Sequence, residues 1–127
     1  PLLVPLVENG RIHPGDVVIE TVAREYLTPL LQAGIDTLIL GCTHYPLLTE
    51  ILRAICGPGV ELVSAGEESA FELKRLLKAQ DLRAREDRKG TASFYVSERG
   101  EDFERIASVF LGEDLSHAAR RIDIDQY

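Results

Sequence analysis

The stretch Thr37-Leu-Ile-Leu-Gly-Cys-Thr-His-Tyr-Pro46 decides the fold of this 127-residue chain. Its first four residues form a short, continuous apolar run, which is typical of a strand that is covered on both faces in a parallel sheet. Gly41 ends this strand, and Pro46 suits the first turn of a following helix. The residues between them therefore join the end of a strand to the start of a helix, where open α/β sheets bind ligands.

Helices and strands alternate on both sides of this junction. Upstream, Asp16 can cap a helix whose apolar residues recur at helical spacing up to Gly34, although Pro29 predicts a kink or short break near Thr28. The charged stretch 78–89 is typical of a solvated helix extension or an exposed linker. The alternation predicts a layered α/β/α fold with a mostly parallel sheet. Further strands are predicted at 2–7, 60–63, 92–96 and 122–124, and further helices at 46–56, 67–77 and 101–111.

The composition restricts the partners that this chain can bind. Apolar residues make up 45% of the chain, which predicts a packed core. The formal net charge of −7 gives no electrostatic support for binding nucleic acid or anionic lipid. No apolar run approaches the roughly 20 residues of a membrane span, and the N-terminus lacks the order of a signal peptide. We therefore expect a cytoplasmic protein that binds small molecules or proteins, with no nucleic acid and no membrane among its partners.

Cys42 and His44 are the residues of the junction that can move a proton. The positive end of the following helix favours the thiolate form of Cys42, and His44 is the nearest group that can exchange a proton with it. Backbone N–H groups of the same turn can hold a carboxylate. The alternative is structural, because a free cysteine is commonly a small buried side chain, and His44 would then cap the helix without chemistry.

Other polar and sulfur-bearing side chains give weaker signals. Glu8 follows the predicted first strand and would either point to the same edge of the sheet or be an exposed loop carboxylate. Cys56 lies on the apolar face of a predicted helix and is assigned to packing, while His13 and His117 are expected to be solvated. No further ligands accompany the cysteines at the spacing of a zinc site, so no metal site is predicted.

Residues 36–48, Asp-Thr-Leu-Ile-Leu-Gly-Cys-Thr-His-Tyr-Pro-Leu-Leu, closely resemble the second cysteine motif of glutamate racemases, within the cofactor-independent aspartate/glutamate racemase superfamily. Stretches 5–8, 62–70 and 94–97 agree with the same family in order and spacing. The resemblance covers the whole chain but only part of the enzyme, because the family's N-terminal half, with the first catalytic cysteine, has no counterpart here. Ser64-Ala65 departs from the Asp-Ser pair that is common in the family.

This resemblance implies an amino-acid racemase that interconverts L- and D-glutamate without pyridoxal phosphate, metal or another cofactor, and that supplies D-glutamate for bacterial peptidoglycan. Cys42 would be the second of two catalytic cysteines, acting as base on one enantiomer and as proton donor toward the other. His44 and Glu8 would be catalytic residues that support Cys42, and Thr43 would bind polar groups of the substrate. The alternatives are an aspartate or other amino-acid racemase of the same superfamily, or a fragment without turnover.

The resemblance also implies a two-domain racemase fold. Residues 1–64 would form part of the second α/β domain, and residues 65–127 would cross back to complete the first domain, whose N-terminal half is absent. The intact enzyme would be a homodimer. The isolated chain, with one thiol of two, is expected to be inactive and to expose apolar side chains of the helix at 67–77 and the strand at 94–96.

Overall fold

The computed structural model of the chain describes residues 1–84, 90–97 and 100–124, and the predicted α/β architecture with parallel strands is confirmed. The chain divides into two compact units, Pro1–Arg83 and Ala84–Tyr127. The boundary predicted between residues 64 and 65 concerns the domains of a longer protein and stays a prediction.

The first unit contains four helices, a 3-10 helix and two strands: α1 (Leu3–Glu8), α2 (Val17–Gln32), α3 (Thr49–Cys56), α4 (Ala65–Ala79), the 3-10 helix (Tyr45–Leu48), β1 (Thr37–Leu40) and β2 (Glu61–Ser64). The described residues of the second unit contain β3 (Phe94–Val96), α5 (Gly100–Leu111) and β4 (Ala119–Arg121).

Strands β1 and β2 pair in parallel, with Leu38 opposite Leu62 and Leu40 opposite Ser64. Their carboxyl ends therefore lie at the same edge of the sheet. The chain leaves β1 through Gly41 toward the 3-10 helix, and it leaves β2 directly into α4. Both connections from strand to helix thus begin side by side, at the edge where we expect a ligand to bind.

The core of the first unit gathers side chains from α2, α3, the 3-10 helix and β1. Ile19, Leu48 and Ile51 are fully buried, and Leu40 belongs to the same cluster. Apolar residues of an amphipathic helix recur every three or four positions, which is how α3 presents its apolar face to α2. This core fixes the carboxyl end of β1 and the segment that follows it.

Helix α2 begins and ends where the sequence predicts, after Asp16 and before Gly34. The carboxylate of Asp16 accepts a hydrogen bond of 2.9 Å from the Val18 N–H and so caps the helix. Of the kink or short break expected near Thr28, the break does not occur, because α2 runs without interruption through Pro29 to Gln32. Pro29 lies in the last turn, where the missing N–H removes one helical hydrogen bond and few residues follow.

The strand predicted at residues 2–7 is wrong, because this segment forms helix α1. Leu3 and Val7, four residues apart, are both buried in the core, which is the spacing of a helix. Pro5 lies in the first turn of α1, where the absence of its N–H costs no helical hydrogen bond. A short apolar run does not reveal its own period, so the sequence alone does not distinguish the two structures.

Helix α4 carries apolar side chains but has no buried residue. Phe71 is 60% exposed and Leu73 is 56% exposed. The expected exposure of this helix is therefore confirmed. The helix begins directly after Ser64, whose hydroxyl accepts a hydrogen bond of 3.3 Å from the Glu67 N–H. This cap explains why α4 starts before the predicted residue 67.

In the second unit, β3 and β4 pair in parallel, and α5 lies between them in sequence. The rings of Phe94 and Phe103 lie 5.8 Å apart. Tyr95 is 55% exposed, as expected for this strand. The strand predicted at 122–124 is wrong, because β4 lies three residues earlier, and Ile124 is 63% exposed. An alternation of apolar and acidic residues there did not mark a half-buried strand.

The charged stretch that was expected to extend a helix or form a linker begins at the end of α4. Residues 82–84 are exposed and belong to no helix or strand, and residues 85–89 lie outside the described residues. Among the helices of the described ranges, none has both the length and the apolar character that crossing a membrane requires.

Candidate functional site

Three polar residues, 42–44, occupy the turn between β1 and the 3-10 helix. The backbone N–H of Tyr45 donates to the carbonyl of Cys42 at 3.1 Å and closes this turn. Leu40 before the turn is 4% exposed, and Leu48 at the end of the 3-10 helix is fully buried. Because buried leucines flank the turn on both sides, the core determines where its polar side chains stand.

The thiol of Cys42 faces the imidazole of His44. Their Sγ and Nδ1 atoms lie 3.8 Å apart, a distance at which sulfur still makes a weak hydrogen bond. Cys42 is half-buried, neither enclosed in the core nor fully exposed to solvent. His44 stands at the first position before the 3-10 helix, but its side chain makes no capping hydrogen bond. The side chain of His44 therefore does not cap this helix.

Glu8 reaches the same imidazole from helix α1. Its Oε1 lies 3.3 Å from Nε2 of His44, and the two side chains are 42% and 20% exposed. The sequence predicted that Glu8 follows a strand, but it lies at the end of helix α1. The buried Leu3 and Val7 anchor α1 on the core, and this packing brings Glu8 to the ring. A carboxylate in this position accepts the Nε2–H and stabilises the ring when it carries a second proton.

The hydroxyl of Thr43 makes a further contact with His44, with Oγ1 3.3 Å from Nδ1. When Nε2–H is donated to Glu8, Nδ1 is the acceptor of the neutral ring. Its lone pair then faces two donors, the Thr43 hydroxyl and the Cys42 thiol. Sequence reasoning missed this contact because it considered Thr43 only as a substrate ligand, and the adjacency of residues 43 and 44 was the single available signal.

A carboxylate, an imidazole and a thiol therefore form one line of contacts from Glu8 through His44 to Cys42. The carboxylate favours the imidazolium form of the ring, and an imidazolium favours a thiolate beside it. A proton can pass between the sulfur and the ring without leaving this line. The arrangement is suited to general acid and base chemistry.

The other cysteine and the other histidines have the structural surroundings that the sequence predicts. Cys56 packs half-buried against the core at the end of α3, and burial raises the pKa of its thiol, which therefore stays protonated at neutral pH. His13 and His117 are exposed. Within the described ranges, no group of three or more His, Cys, Asp or Glu side chains is arranged to hold a metal ion.

Ser64 stands at the same edge of the sheet as the turn, because it is the last residue of β2 and pairs with Leu40. Its side chain is directed to the backbone, where it caps α4. The departure from the Asp-Ser pair therefore retains a side-chain acceptor at the helix start.

No family model matches the chain, but curated relatives do. The glutamate racemase of Shouchella clausii is 45% identical over 111 residues, which are 87% of this chain and 39% of that protein. The glutamate racemase of Saccharopolyspora erythraea is 45% identical over 123 residues, which are 97% of this chain and 44% of that protein. The chain thus spans less than half the length of these relatives.

The fold is similar to that of a solved glutamate racemase. The crystal structure of the enzyme from Thermus thermophilus in complex with β-chloro-D-alanine matches with a TM-score of 0.84 and 37% identity, over 100% of this chain and 47% of that chain. The resemblance read from the sequence is therefore confirmed, and the chain corresponds to the C-terminal part of these proteins.

Proposed function

The chain belongs to the glutamate racemase family, and on that premise we propose that the protein of which it forms part interconverts L- and D-glutamate. The observation that carries the proposal is the line of contacts from Glu8 through His44 to Cys42 at the carboxyl edge of the parallel strands. Racemisation at an α-carbon requires a base on one face and an acid on the other. This line of contacts supplies one of those two groups.

Cys42 is the group that exchanges a proton with the substrate. In one direction its thiolate takes the proton from the α-carbon, so that the C–H bond breaks, an S–H bond forms and the electron pair stays on the substrate. A second acid, on the opposite face, then gives a proton to the carbon. In the other direction the Cys42 thiol is the donor. The reaction changes no oxidation state, and the proposal involves neither pyridoxal phosphate nor a metal.

Glu8 and His44 prepare Cys42 for both directions. Glu8 accepts the Nε2–H of His44 and favours the protonated ring, which in turn favours the thiolate. When Cys42 acts as donor, its thiol gives a proton to the substrate carbon, and the protonated ring of His44 then returns a proton to the sulfur. Thr43, at the exposed side of the turn, binds a polar group of the substrate.

The second acid belongs to the part of the protein that the relatives have and this chain lacks. In the proposed domain organisation, residues 1–64 are part of one α/β domain, and residues 65–127 complete the other together with that missing part. The exposed apolar residues of α4, Phe71 and Leu73, support a partner surface there. The proposal includes a homodimer in the cytoplasm that supplies D-glutamate for peptidoglycan.

The test is the exchange of the α-hydrogen in D₂O by the full-length protein, followed by NMR with glutamate and with aspartate as substrates. We expect exchange and racemisation of glutamate, a loss of at least about 100-fold in Cys42→Ala, and near-normal activity in the matched control Cys56→Ala. Exchange with aspartate and not with glutamate would instead favour an aspartate racemase. The 127-residue chain alone is expected to be inactive, and turnover by it would contradict the need for a second acid.

A further inference from the structure

We propose that Thr43 is a positioning residue whose hydroxyl donates a hydrogen bond to Nδ1 of His44 when no substrate is bound. On binding, the substrate accepts this hydrogen bond instead, and Nδ1 is then available to accept the proton of Cys42. The proposal rests on the proposed racemase function. It adds a means by which substrate binding activates the thiol at the moment when a base is needed.

The two donors that face Nδ1 are unequal. The Thr43 hydroxyl lies at 3.3 Å and the Cys42 sulfur at 3.8 Å. A hydroxyl is a stronger donor than a thiol, and the neutral ring has one lone pair in its plane at Nδ1. The hydroxyl is therefore the preferred partner of the ring when no substrate is present.

This preference opposes the effect of Glu8. A hydroxyl that donates to Nδ1 stabilises the neutral ring, so the ring accepts the thiol proton less readily. Glu8, at 3.3 Å from Nε2, stabilises the protonated ring. The Thr43 hydroxyl and Glu8 thus act on the ring in opposite directions, and the hydroxyl opposes the transfer of the Cys42 proton to Nδ1.

A substrate can remove this restraint because Thr43 is exposed at the edge of the turn. The carboxylate of an amino acid is a charged acceptor and forms a stronger hydrogen bond with a hydroxyl than a neutral ring does. Rotation of the Thr43 side chain toward such a carboxylate frees the Nδ1 lone pair. The S–H bond of Cys42 then breaks, an N–H bond forms at Nδ1, and a thiolate beside an imidazolium results.

The first test is the rate at which iodoacetamide alkylates Cys42 at pH 7 in the 127-residue chain, with Cys56→Ser as background. Thr43→Val keeps the shape of the side chain and removes the hydroxyl, so we expect alkylation about two- to tenfold faster, the range set by one neutral hydrogen bond. Thr43→Ser keeps the hydroxyl and is expected to react at the original rate. Thr28→Val, which removes an exposed hydroxyl that donates to the Arg24 carbonyl at 2.7 Å, is the matched control.

An unchanged or slower rate in Thr43→Val would overturn the proposal, as would an equal increase in Thr28→Val. The ¹⁵N chemical shifts of the His44 ring give an independent measure. We expect the Nδ1 signal to move in Thr43→Val and to stay in Thr43→Ser. A purely structural role of Thr43 would instead disturb both ring nitrogens and both variants.

The second test uses the pH profiles of the full-length protein. In the direction in which Cys42 is the base, we expect Thr43→Val to move the acid limb of kcat/KM, which reports the free protein, to lower pH. The acid limb of kcat, which reports the bound complex, should stay in place, because there the hydroxyl has already left Nδ1. Equal movement of both limbs would overturn the proposal. A full-length protein without glutamate racemisation would contradict the proposed function, while the alkylation rates still decide the role of Thr43.

Discussion

The two compact units of the chain are stabilised by different interactions. In the first, nine buried apolar side chains form one cluster. In the second, Leu115 is the one buried apolar side chain among the described residues, and polar contacts fasten α5 to the segment that leads into β4. Ser108 Oγ accepts from the Leu115 N–H at 3.0 Å, and Glu104 Oε1 accepts from the Ala119 N–H at 3.0 Å. The candidate site is built on the unit that has the apolar core.

This difference separates two sources of rigidity. Burial of apolar surface is non-directional and depends on area, so removing one large buried side chain has a large effect on the whole unit. A hydrogen bond to a carboxylate acts locally and depends on whether the carboxylate is charged. Burial of apolar surface therefore defines the position of a proton-transferring side chain better than such a hydrogen bond does.

The largest effect is expected from Ile51→Ala, in the core of the first unit. Ile51 is 2% exposed, and its truncation should lower the free energy of unfolding by about 2–5 kcal/mol, measured by urea denaturation. The matched control is Leu73→Ala on the uncovered α4, which should change it by no more than about 0.5 kcal/mol. Similar losses in the two variants would remove the distinction between covered and uncovered helices.

A smaller and more local effect is expected from Glu104→Ala in the second unit. The Ala119 amide loses its acceptor, so its hydrogen exchange should become severalfold faster, while exchange at Leu52 in the first unit stays unchanged. Glu104→Gln retains a neutral acceptor and should exchange at an intermediate rate. If exchange at Leu52 accelerated equally, the two units would share one stabilising core, contrary to the comparison above.

Acidification should loosen the same contact of the second unit. Backbone hydrogen bonds from Ala119 and His117, together with the charge of His117, lower the pKa of Glu104 below its ordinary value of 4.5, against a smaller opposing effect of desolvation and of Asp114. A group whose pKa is lower in the folded state stabilises that state above its unfolded value and loses the contribution as pH falls through the folded value. Ala119 exchange, corrected for intrinsic rates, should therefore accelerate below about pH 4.5, and this dependence should disappear in Glu104→Gln.

The smallest effect on stability, but a visible one on association, is expected from Leu73→Lys on α4. Leu73 is 56% exposed beside other uncovered apolar residues, so a charge there should weaken self-association of the 127-residue chain. Sedimentation equilibrium measures this change. Val17→Lys is the control, because Val17 is 75% exposed on a helix whose other face is packed in the core. Equal weakening by both substitutions would mean that net charge, and not the α4 surface, controls association.

The sequence predicted those parts of the fold that local patterns specify. The apolar run of β1, the Asp16 cap of α2 and the start of a helix near Pro46 all lie within a few residues of the signals that predict them. The segment that became α1 was misassigned because a run of six apolar residues fits a strand as well as a helix. β4 was displaced because its place depends on pairing with β3, which local composition does not encode.

The candidate site was predictable to the same extent. Cys42 and His44 are two residues apart, so their contact follows from the turn between β1 and the 3-10 helix. Glu8 is distant in sequence, and the reasoning that placed it near the site, a parallel first strand, was wrong. It reaches His44 because α1 packs on the core, which is a tertiary interaction and has no local signal.

The hydroxyl of Ser64 gives the start of α4 a property that the start of α2 lacks. The Asp16 cap is a carboxylate whose pKa is subject to an upward effect of desolvation, but is lowered overall by the Val18 N–H and by Arg11. Protonation in strong acid weakens that cap, whereas a serine hydroxyl has no charge to lose. In acid, fraying should therefore begin at the amino end of α2 and spare the amino end of α4. Helix α4, which starts beside the candidate turn, then keeps its first turn when α2 has lost its own.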